Sequence, residues 1–256
     1  MYNINKLISP QVFEELLEYL PTPKQKKRGR KRIIKKYLIS GIIQILVLGI
    51  PWRKMFDCGA SPSSCYRYFK ELQRRGIYEK FFKQKILEKT DIEICSIDST
   101  SVTSYRFNHG VGYDGKHKKY ATKISALSDK NGFPADIVFG KGNVHDLNFV
   151  LPHIKNTQGR HKKVLNMDKG YTSLKLRREL RQKGIWVNME TKSGDYIRKI
   201  GPKFKLKQTL YDTRFTIERL FGWLKSFKRC RLRQEFTISS FKAFIYLALI
   251  IVLIRG

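Results

Sequence analysis

Short apolar runs alternate with helical segments between about residues 92 and 189, and this alternation constrains the fold more than any other feature. The apolar runs are as short as β-strands and are bounded by polar turn residues, so they predict buried strands. One such turn, Ser128–Gly132, has the composition of a hairpin connection. Strands and helices in this order predict an α/β fold with a mixed sheet flanked by helices. The predicted strands cover residues 92–97, 120–127, 135–139, 164–167 and 185–189, and the predicted helices cover 147–154 and 174–183.

The first 90 residues have a helical pattern instead. They predict a small helical domain at 1–90 ahead of a second domain at 91–256. Apolar residues recur at helical spacing within 10–19, and an apolar helix at 33–48 would end at Gly49. Both segments therefore predict helices that pack on a core.

A third predicted helix, at 62–75, is framed by start and stop signals. Ser61 can cap its first turn, and Gly76 can end it. Its outward basic residues suit the reading helix of a helix-turn-helix, although an ordinary surface helix explains them equally well. The residues expected to be buried are Tyr66, Phe69 and Leu72, and the candidate DNA-binding residues are Arg67, Lys70 and Arg74.

The chain has 52 Lys and Arg residues against 21 Asp and Glu, a formal net charge of +31 over 256 residues. The basic residues run along the whole length, so self-repulsion opposes folding unless a polyanion is the working partner. Nucleic acid fits this pattern better than a membrane surface, because no basic amphipathic anchor is evident. We interpret the basic run at 24–32 as an arm that binds phosphates without sequence preference.

The cysteines and the apolar segments indicate the compartment. Four cysteines occur without a C-x-x-C pair, which predicts reduced thiols and neither a zinc site nor a disulfide framework. The first residues lack the pattern of a signal peptide. The unbroken apolar run at 243–254 is too short to span a bilayer and predicts a buried helix. We therefore expect a soluble cytoplasmic protein with no membrane partner.

Three acidic residues are candidate metal ligands. Asp98 and Asp168 each stand where a strand is predicted to give way to a polar loop, a place where α/β sheets carry functional groups. Glu218 lies on a later predicted helix. Carboxylates from three elements are the oxygen ligands that a pair of divalent cations requires. Spacing alone leaves other acids open as ligands, namely Asp91, Asp129, Asp136, Asp146 and Asp195.

Four residues around Glu218 share one face of a predicted helix. Tyr211, Arg214, Glu218 and Lys225 lie within an arc of about 60° if the segment is a single α-helix. The face presents a carboxylate with two cations and a phenol, which suits holding a metal ion against a phosphodiester. The alternative is that these four residues are an ordinary solvent-exposed helix face without a function. The apolar residues that would anchor this helix on a core are Ile217, Leu220, Phe221, Leu224 and Phe227.

These residues resemble the DDE transposases of bacterial insertion sequences. The order is IDST around Asp98, MDKGY around Asp168, and then Tyr-x2-Arg-x3-Glu-x6-Lys starting at Tyr211, which is the signature of one subgroup. The segment GNVHD resembles a block that such enzymes carry between their first two acids. The likeness covers most of 92–235, and residues 28–80 are less specifically similar to the family's N-terminal DNA-binding region.

The resemblance implies a fold and a catalytic set. The fold is an RNase H-like core preceded by a helical, helix-turn-helix-like domain. Asp98, Asp168 and Glu218 would be both the catalytic residues and the ligands of two Mg²⁺ or Mn²⁺ ions.

The resemblance also implies an activity and partners. The activity is cleavage of phosphodiester bonds at terminal inverted repeats, followed by transfer of the freed 3′-hydroxyl into target DNA. Arg214 and Lys225 would steady the phosphates, and Tyr211 would bind or stack near the terminal base. The partner is double-stranded DNA, the assembly is at least a homodimer, and the location is the bacterial cytoplasm at the nucleoid.

Two other functions stay open at this point. One is a non-catalytic, transposase-derived repressor or inhibitor that binds inverted repeats, and the other is an RNase H-like nuclease acting on RNA or branched DNA. Asp146 is expected to cap the helix at 147–154, whereas His145 and the basic loop at 191–209 have no assigned role.

Overall fold

The structure is a computed structural model that describes residues 3–23, 31–105, 109–190 and 206–256. Most of the expected basic arm at 24–32 and of the loop at 191–209 lies outside these residues. The chain divides into two compact units, which we call the helical unit and the sheet unit. The helical unit is Met1–Lys85, Tyr105–His109 and Trp223–Gly256, and the sheet unit is Ile86–Ser104 and Gly110–Gly222.

The sheet unit contains one mixed sheet of six strands in its described residues. The strand order is β2-β3-β1-β5-β6, and β4 also pairs with β3. Strands β1, β5 and β6 are parallel to each other, whereas β3 is antiparallel to β1, β2 and β4. This arrangement confirms the predicted mixed sheet. The strands are β1 Ile94–Thr103, β2 Gly112–Asp114, β3 Lys119–Asp129, β4 Pro134–Lys141, β5 Val164–Asn166 and β6 Trp186–Asn188.

Strand β1 is longer than predicted, and this changes the position of Asp98. The strand was expected to end at Asp98, but it continues to Thr103 and places Asp98 in its middle. The parallel pairing with β5 stops at Ser96, while the antiparallel pairing with β3 runs on through Thr103. The residues after Asp98 are rich in Ser and Thr, a composition that is typical of a polar loop. They nevertheless form a strand, because each of them pairs with a residue of β3.

One face of the sheet, called the core face, is covered by helices. Ile97 and Leu127 pack there in a buried cluster with Leu176 and Leu180. Because successive strand residues point to opposite faces, Asp98 belongs to the other face, called the acid face. The elements between the strands are a 3₁₀ helix Asp146–Phe149, α5 Val150–Asn156, a 3₁₀ helix Lys169–Tyr171 and α6 Leu174–Gln182.

The segment with the Tyr-Arg-Glu-Lys pattern follows β6. It consists of α7 Gln208–Tyr211, a 3₁₀ helix Asp212–Arg214 and α8 Phe215–Ser226. The five apolar residues expected to anchor it are all buried, which confirms that prediction.

The helical unit has a core that includes the C-terminal helix. Phe69 stacks on Phe244 with ring centroids 4.4 Å apart, and Phe82 contacts Tyr246 at 5.3 Å. The two-domain division at residue 90 assigned residues 223–256 to the second domain, but they pack with the N-terminal helices. The helices are α1 Pro10–Tyr19, α2 Lys35–Leu48, α3 Pro62–Arg74, α4 Ile77–Lys89, α9 Lys228–Arg231 and α10 Ile238–Arg255.

Helix α10 contains the apolar run at 243–254. By length and composition it is the one helix of the described residues that could cross a membrane, but 72% of it is buried within the protein. It therefore has the character of a core helix, as the sequence predicts.

Helix α3 differs from its predicted faces in two positions. Tyr66 was expected in the core but is 45% exposed, and Tyr68 is buried in its place with its hydroxyl donating to the Pro21 carbonyl. Lys70 was expected to point outward, but its Nζ donates to Ser240 Oγ of α10 at 2.9 Å. The reason is the long C-terminal helix, whose packing beside α3 cannot be read from the periodicity of α3.

Candidate active site

Three neighbouring parallel strands carry a row of polar side chains. Ser96, Asn166 and Asn188 lie directly opposite one another in register, and all three are almost fully buried. An acidic residue follows two positions later along each strand, so three carboxylates come from adjacent positions at one edge of the parallel strands. These acids are Asp98, Asp168 and Glu190.

The carboxylate of Asp98 is mostly buried. Its Oδ1 accepts a hydrogen bond from the Ser99 amide at 2.8 Å. Burial raises the pKa of Asp98 above the ordinary value, and the Ser99 amide and Arg214 counteract part of that increase. The negative charges of Asp168 and Asp146 raise the pKa further. The charged form of Asp98 is thus disfavoured in the protein by itself, which is the situation that a bound cation would relieve.

Asp168 and Glu218 meet at the guanidinium of Arg214. The nitrogen–oxygen distances are 4.0 Å from Arg214 to Asp168 and 3.6 Å from Arg214 to Glu218. Both distances exceed the hydrogen-bonding range, so these contacts are loose ion pairs. The Nε atom of Arg214 is also buried without a hydrogen-bond acceptor among the described residues. The loosely paired terminal nitrogens of the guanidinium therefore remain available as donors beside two carboxylates.

Tyr211 lies in the same group of charges. The Arg214 guanidinium carbon is 5.9 Å from the centre of the Tyr211 ring. Burial raises the pKa of Tyr211, Arg214 lowers it, and the carboxylates of Glu190, Asp168 and Asp98 raise it further. The phenol thus remains a hydrogen-bond donor at neutral pH, within the electrostatic range of all three acids at the edge of the strands.

The segment with the Tyr-Arg-Glu-Lys pattern is not the single α-helix that the spacing predicts. It tightens to a 3₁₀ turn at Asp212–Arg214. The Leu210 carbonyl already accepts hydrogen bonds from Asn166 Nδ2 and Thr213 Oγ1, each at 2.8 Å. Side chains that occupy a backbone acceptor compete with the regular helical bond to it, which explains the tightened turn.

Two buried amides hold the start of this segment on the sheet. Asn166 Nδ2 donates to the Leu210 carbonyl and to Thr213 Oγ1 at 3.1 Å. Asn188 exchanges hydrogen bonds with the backbone of Lys207, donating at 3.1 Å and accepting at 3.0 Å. Asn188 also donates to Asn166 Oδ1 at 2.9 Å. The amides therefore determine where the backbone on either side of Tyr211 is placed.

A glycine turn holds the next part of the segment. Gly132, between β3 and β4, has φ +88°, and a Cβ added there would lie 3.0 Å from Thr216. Arg219 donates to the Asn131 carbonyl of the same turn at 2.6 Å. The start of α8, which carries Glu218, is thereby fixed against the β3–β4 turn.

We expect the hydrogen bonds of the Asn166 amide to stabilise the fold. Asn166→Asp removes the bonds donated to Leu210, to Thr213 and, at 3.4 Å, to Ser96 Oγ, and places a carboxylate beside the Leu210 carbonyl. We expect a loss of about 2 kcal/mol in the free energy of unfolding, from unpaired buried polar groups. Urea denaturation followed by circular dichroism measures it. Asn148→Asp makes the same change at an exposed position and should cost under about 0.5 kcal/mol; equal losses in both variants would contradict the assignment.

The residues between the first two acids are arranged differently from expectation. Asp146 was expected to cap the following helix, but His145 does so, with Nδ1 accepting from the Leu147 amide at 3.2 Å. Asp146 instead forms an ion pair with Lys123 of β3 at 3.0 Å. The Lys123 ammonium attracts the carboxylate away from the helix start, leaving the imidazole to cap it.

The donor set suits a hard divalent cation, because it consists of carboxylate oxygens. Arg214 is the cation whose charge lowers the pKa of the buried Asp98 carboxylate, against the negative charges of Asp168 and Asp146. Among the described residues, however, no group of three His, Cys, Asp or Glu side chains is gathered closely enough to hold a metal ion. Asp168 and Glu218 both lie within 4.0 Å of the Arg214 guanidinium, whereas Asp98 forms no ion pair with it.

Two sequence families match the chain. The family described as "Transposase DDE domain" matches residues 89–253 of the chain. The chain belongs to this transposase family. A second family, described as "Putative transposase of IS4/5 family", matches residues 8–82 of the same transposase chain. The expected resemblance to bacterial insertion-sequence DDE transposases is confirmed.

Two relatives of this transposase chain come from Burkholderia cepacia. The "Putative transposase for insertion sequence element IS402" is 28% identical over 123 residues, which cover 44% of this chain and 54% of that protein. The "Insertion element IS402 uncharacterized 16.2 kDa protein" is 24% identical over 107 residues, covering 38% of this chain and 72% of that protein. The match thus spans about half the length of the first relative.

A solved transposase structure shows the fold. The cryo-EM structure of the piggyBac transposase synaptic complex with hairpin DNA aligns with 98% of this chain and 71% of that chain. The TM-score is 0.57 and the sequence identity is 14%, so the likeness concerns the fold alone. Together with the family match, it confirms the expected RNase H-like α/β core preceded by a helical region.

The remaining candidate residues of the transposase lie in the helical unit. Arg67 and Arg74 are exposed on α3, whereas Lys70 contacts α10. Lys225 lies in the last turn of α8. These positions do not change the expectation that Arg67, Arg74 and Lys225 contact DNA.

Sequence reasoning missed the two buried amides and Glu190, although a signal was present. Asn166-Met-Asp168 and Asn188-Met-Glu190 repeat one pattern, an amide and an acid two residues apart, at the ends of two strands. The repetition becomes informative once the strands are known to be adjacent and in register.

Proposed function

We propose that this chain is a DNA transposase that cleaves phosphodiester bonds at insertion-sequence inverted repeats and transfers the 3′-hydroxyl end into target DNA. The observation that carries the proposal is the Arg214 guanidinium between Asp168 and Glu218, with Asp98 in electrostatic range. A cation with free donors beside several carboxylates matches the two needs of phosphoryl transfer, binding of phosphate oxygens and placement of divalent cations.

Arg214 binds the phosphate in this proposal. Its contacts with both carboxylates are loose, so a phosphodiester oxygen can accept a stronger, charge-assisted bond from it. Tyr211, whose pKa is raised, stays protonated and donates to a phosphate or base. Lys225, in the last turn of α8, adds a second cation for the DNA backbone.

In this proposal Asp98, Asp168 and Glu218 come together to hold two Mg²⁺ or Mn²⁺ ions when the cations and DNA bind, because no three such side chains of the described residues are gathered closely enough for a metal ion in the structure. When bound, such ions activate the attacking oxygen and stabilise the leaving oxygen. The carboxylates position the ions, and the buried amides keep the segment that carries Tyr211 and Arg214 next to them. Both strand cleavage and strand transfer are attacks on a phosphodiester, so one residue set serves both.

The partner in this proposal is double-stranded DNA, both the transposon ends and the target. The exposed Arg67 and Arg74 of α3 contact it in the helical unit. The net charge of +31 supplies the general attraction. We further propose a homodimer or higher oligomer on DNA, acting in the bacterial cytoplasm at the nucleoid.

The test is a strand-cleavage assay on DNA that carries the inverted repeats flanking the coding region. Cleavage should require Mg²⁺ or Mn²⁺, stop on addition of EDTA, and resume when the ion is restored. Glu218→Gln should lower the rate by about 10²-fold because a carboxylate ligand becomes neutral. Glu93→Gln changes a carboxylate that pairs with Lys163 and should leave the rate unchanged.

Two results would contradict the proposal. Full activity of Glu218→Gln would remove this residue from the catalytic set. Tight, salt-sensitive binding to inverted repeats with no cleavage under any divalent ion would instead support a non-catalytic repressor or inhibitor.

A further inference from the structure

The hairpin formed by β2 and β3 has no role in the site described above. Between the two strands lie Gly115 and three exposed basic residues, Lys116, His117 and Lys118. Two tyrosines, Tyr113 and Tyr120, stand directly opposite each other on the paired strands. We call residues 112–120 the basic hairpin.

The turn of the basic hairpin is held by one buried carboxylate. Asp114 is 4% exposed and accepts from the Lys116 amide at 3.1 Å and from the His117 amide at 3.2 Å. It also contacts His117 Nδ1 at 2.9 Å and accepts from Ser101 Oγ. Burial raises the pKa of Asp114, but the bonds from Ser101 and His117 outweigh it and hold the pKa below the ordinary value. The turn is therefore tied to the sheet at neutral pH.

The exposed side chains of the anchored turn are basic. Asp114 is the one acidic residue between positions 110 and 123, and it faces inward with its charge matched by hydrogen bonds. Lys118 has φ +50°, a left-handed conformation that is strained for a residue with a side chain. The Asp114 contacts offset that strain and keep the exposed cations in one arrangement.

The two tyrosines form an exposed aromatic pair. Their ring centroids are 5.4 Å apart with an interplanar angle of 65°, and the residues are 49% and 48% exposed. A cross-strand pair of this kind stabilises the hairpin and keeps both rings fixed on the surface. Aromatic rings in a basic surface are a combination with which proteins bind single-stranded stretches of nucleic acid, where the bases are free to stack.

The pair lies on the same face of the sheet as Asp98. Asp98 is opposite Ala126 on β3, and Tyr120 precedes Ala126 by six residues. Residues an even number apart on a strand share a face, and six residues span about 20 Å. Along one strand of DNA that distance corresponds to about six nucleotides.

We propose that the basic hairpin binds the DNA backbone about six nucleotides from the phosphodiester that is cleaved beside Asp98. Lys116 and Lys118 pair with phosphates, and Tyr113 and Tyr120 pack against the sugars and bases between them. The proposal rests on the proposed function for the position of the cleaved phosphate, while the binding surface itself is independent of cleavage.

The first experiment measures binding of the full chain to inverted-repeat DNA across salt concentrations. Lys116→Gln with Lys118→Gln should reduce the slope of log K against log salt by about 1.8, because two phosphate contacts are lost. Lys175→Gln with Lys183→Gln makes the same charge change on α6 and at the residue directly after it, on the opposite face, and should leave the slope unchanged. An equal change in both double variants would overturn the proposal, since it would reflect net charge alone.

The second experiment locates the contact. DNA with 5-iododeoxyuridine at successive positions is irradiated with the full chain, and cross-linked peptides are identified by mass spectrometry. Cross-links to Tyr113 or Tyr120 should peak between about four and eight nucleotides from the cleavage position. Cross-links to other residues only, in a protein that cleaves the DNA, would overturn the hairpin proposal and leave the proposed function standing. Absence of cleavage by the unaltered chain would instead count against the proposed function.

Discussion

Asp98→Asn should reduce DNA strand cleavage by about 10³-fold or more at saturating Mg²⁺. The substitution keeps the size of the side chain and removes the negative charge at the acid that lies deepest in the site. Charge stabilisation by one preorganised group is worth about 10²–10³ in rate, and loss of a metal position adds to it. Single-turnover cleavage of inverted-repeat DNA measures the effect. Asp91→Asn, at an exposed acid 3.8 Å from Lys130, serves as the matched control with no expected loss.

Although Asp98→Asn should lower the rate of cleavage, it should not lower the free energy of unfolding. Burial raises the pKa of Asp98, so the unfolded chain releases this proton at a lower pH than the folded protein does. The ionised carboxylate therefore destabilises the fold at neutral pH, and the penalty disappears as the pH falls below the pKa of the unfolded chain. Asp98→Asn should unfold at the same or a higher urea concentration than the unaltered chain at pH 7. A variant that is both inactive and strongly destabilised would indicate a structural role for Asp98.

The second large effect is expected from the buried ion pair between Arg229 and Glu235, which should stabilise the fold. Arg229→Met should lower the free energy of unfolding by about 3–5 kcal/mol, because it leaves a buried carboxylate without its partner. Arg229 Nε lies 2.5 Å from Glu235 Oε1, and the two side chains are 7% and 4% exposed. Arg229 also donates to the Gln234 side chain at 2.7 Å and to the Ile50 carbonyl at 3.3 Å. Urea denaturation of the full chain measures the loss.

Two further variants separate the ion pair from the packing. Arg229→Met combined with Glu235→Met removes both charges and should recover much of the stability, since apolar side chains can replace a buried pair. Arg231→Met, at an exposed position of the same short helix, should cost under about 0.5 kcal/mol. If Arg229→Met lowers the free energy of unfolding by less than about 1 kcal/mol, the ion pair between Arg229 and Glu235 does not stabilise the fold.

The candidate charged residues of the site could be predicted from the sequence. The acids at Asp98, Asp168 and Glu218 and the basic residue Arg214 follow the spacing of a known family, and family membership is confirmed. The structure adds that Asp168 and Glu218 share one guanidinium, which no spacing rule specifies. Their roles as metal ligands remain a prediction.

Most strands and buried faces could also be predicted from the sequence, because the spacing of polar and apolar residues indicates which side chains are buried. The errors occur where a partner far along the chain decides the outcome. Strand β1 extends beyond Asp98 because β3 pairs with it, and Lys70 turns to Ser240, 170 residues away. The α-helix expected from Tyr211 is tightened because Asn166 occupies the Leu210 carbonyl.

The amino-acid sequence alone determined the class of fold, most of the apolar faces and the large positive charge, since each depends on composition and short-range periodicity. Only the tertiary structure decided that two buried amides hold the Tyr211–Arg214 segment and that a paired, exposed Tyr113 and Tyr120 lie on the face of Asp98. Those features arise from hydrogen bonds and strand register between residues distant in sequence, and local propensity carries no information about them.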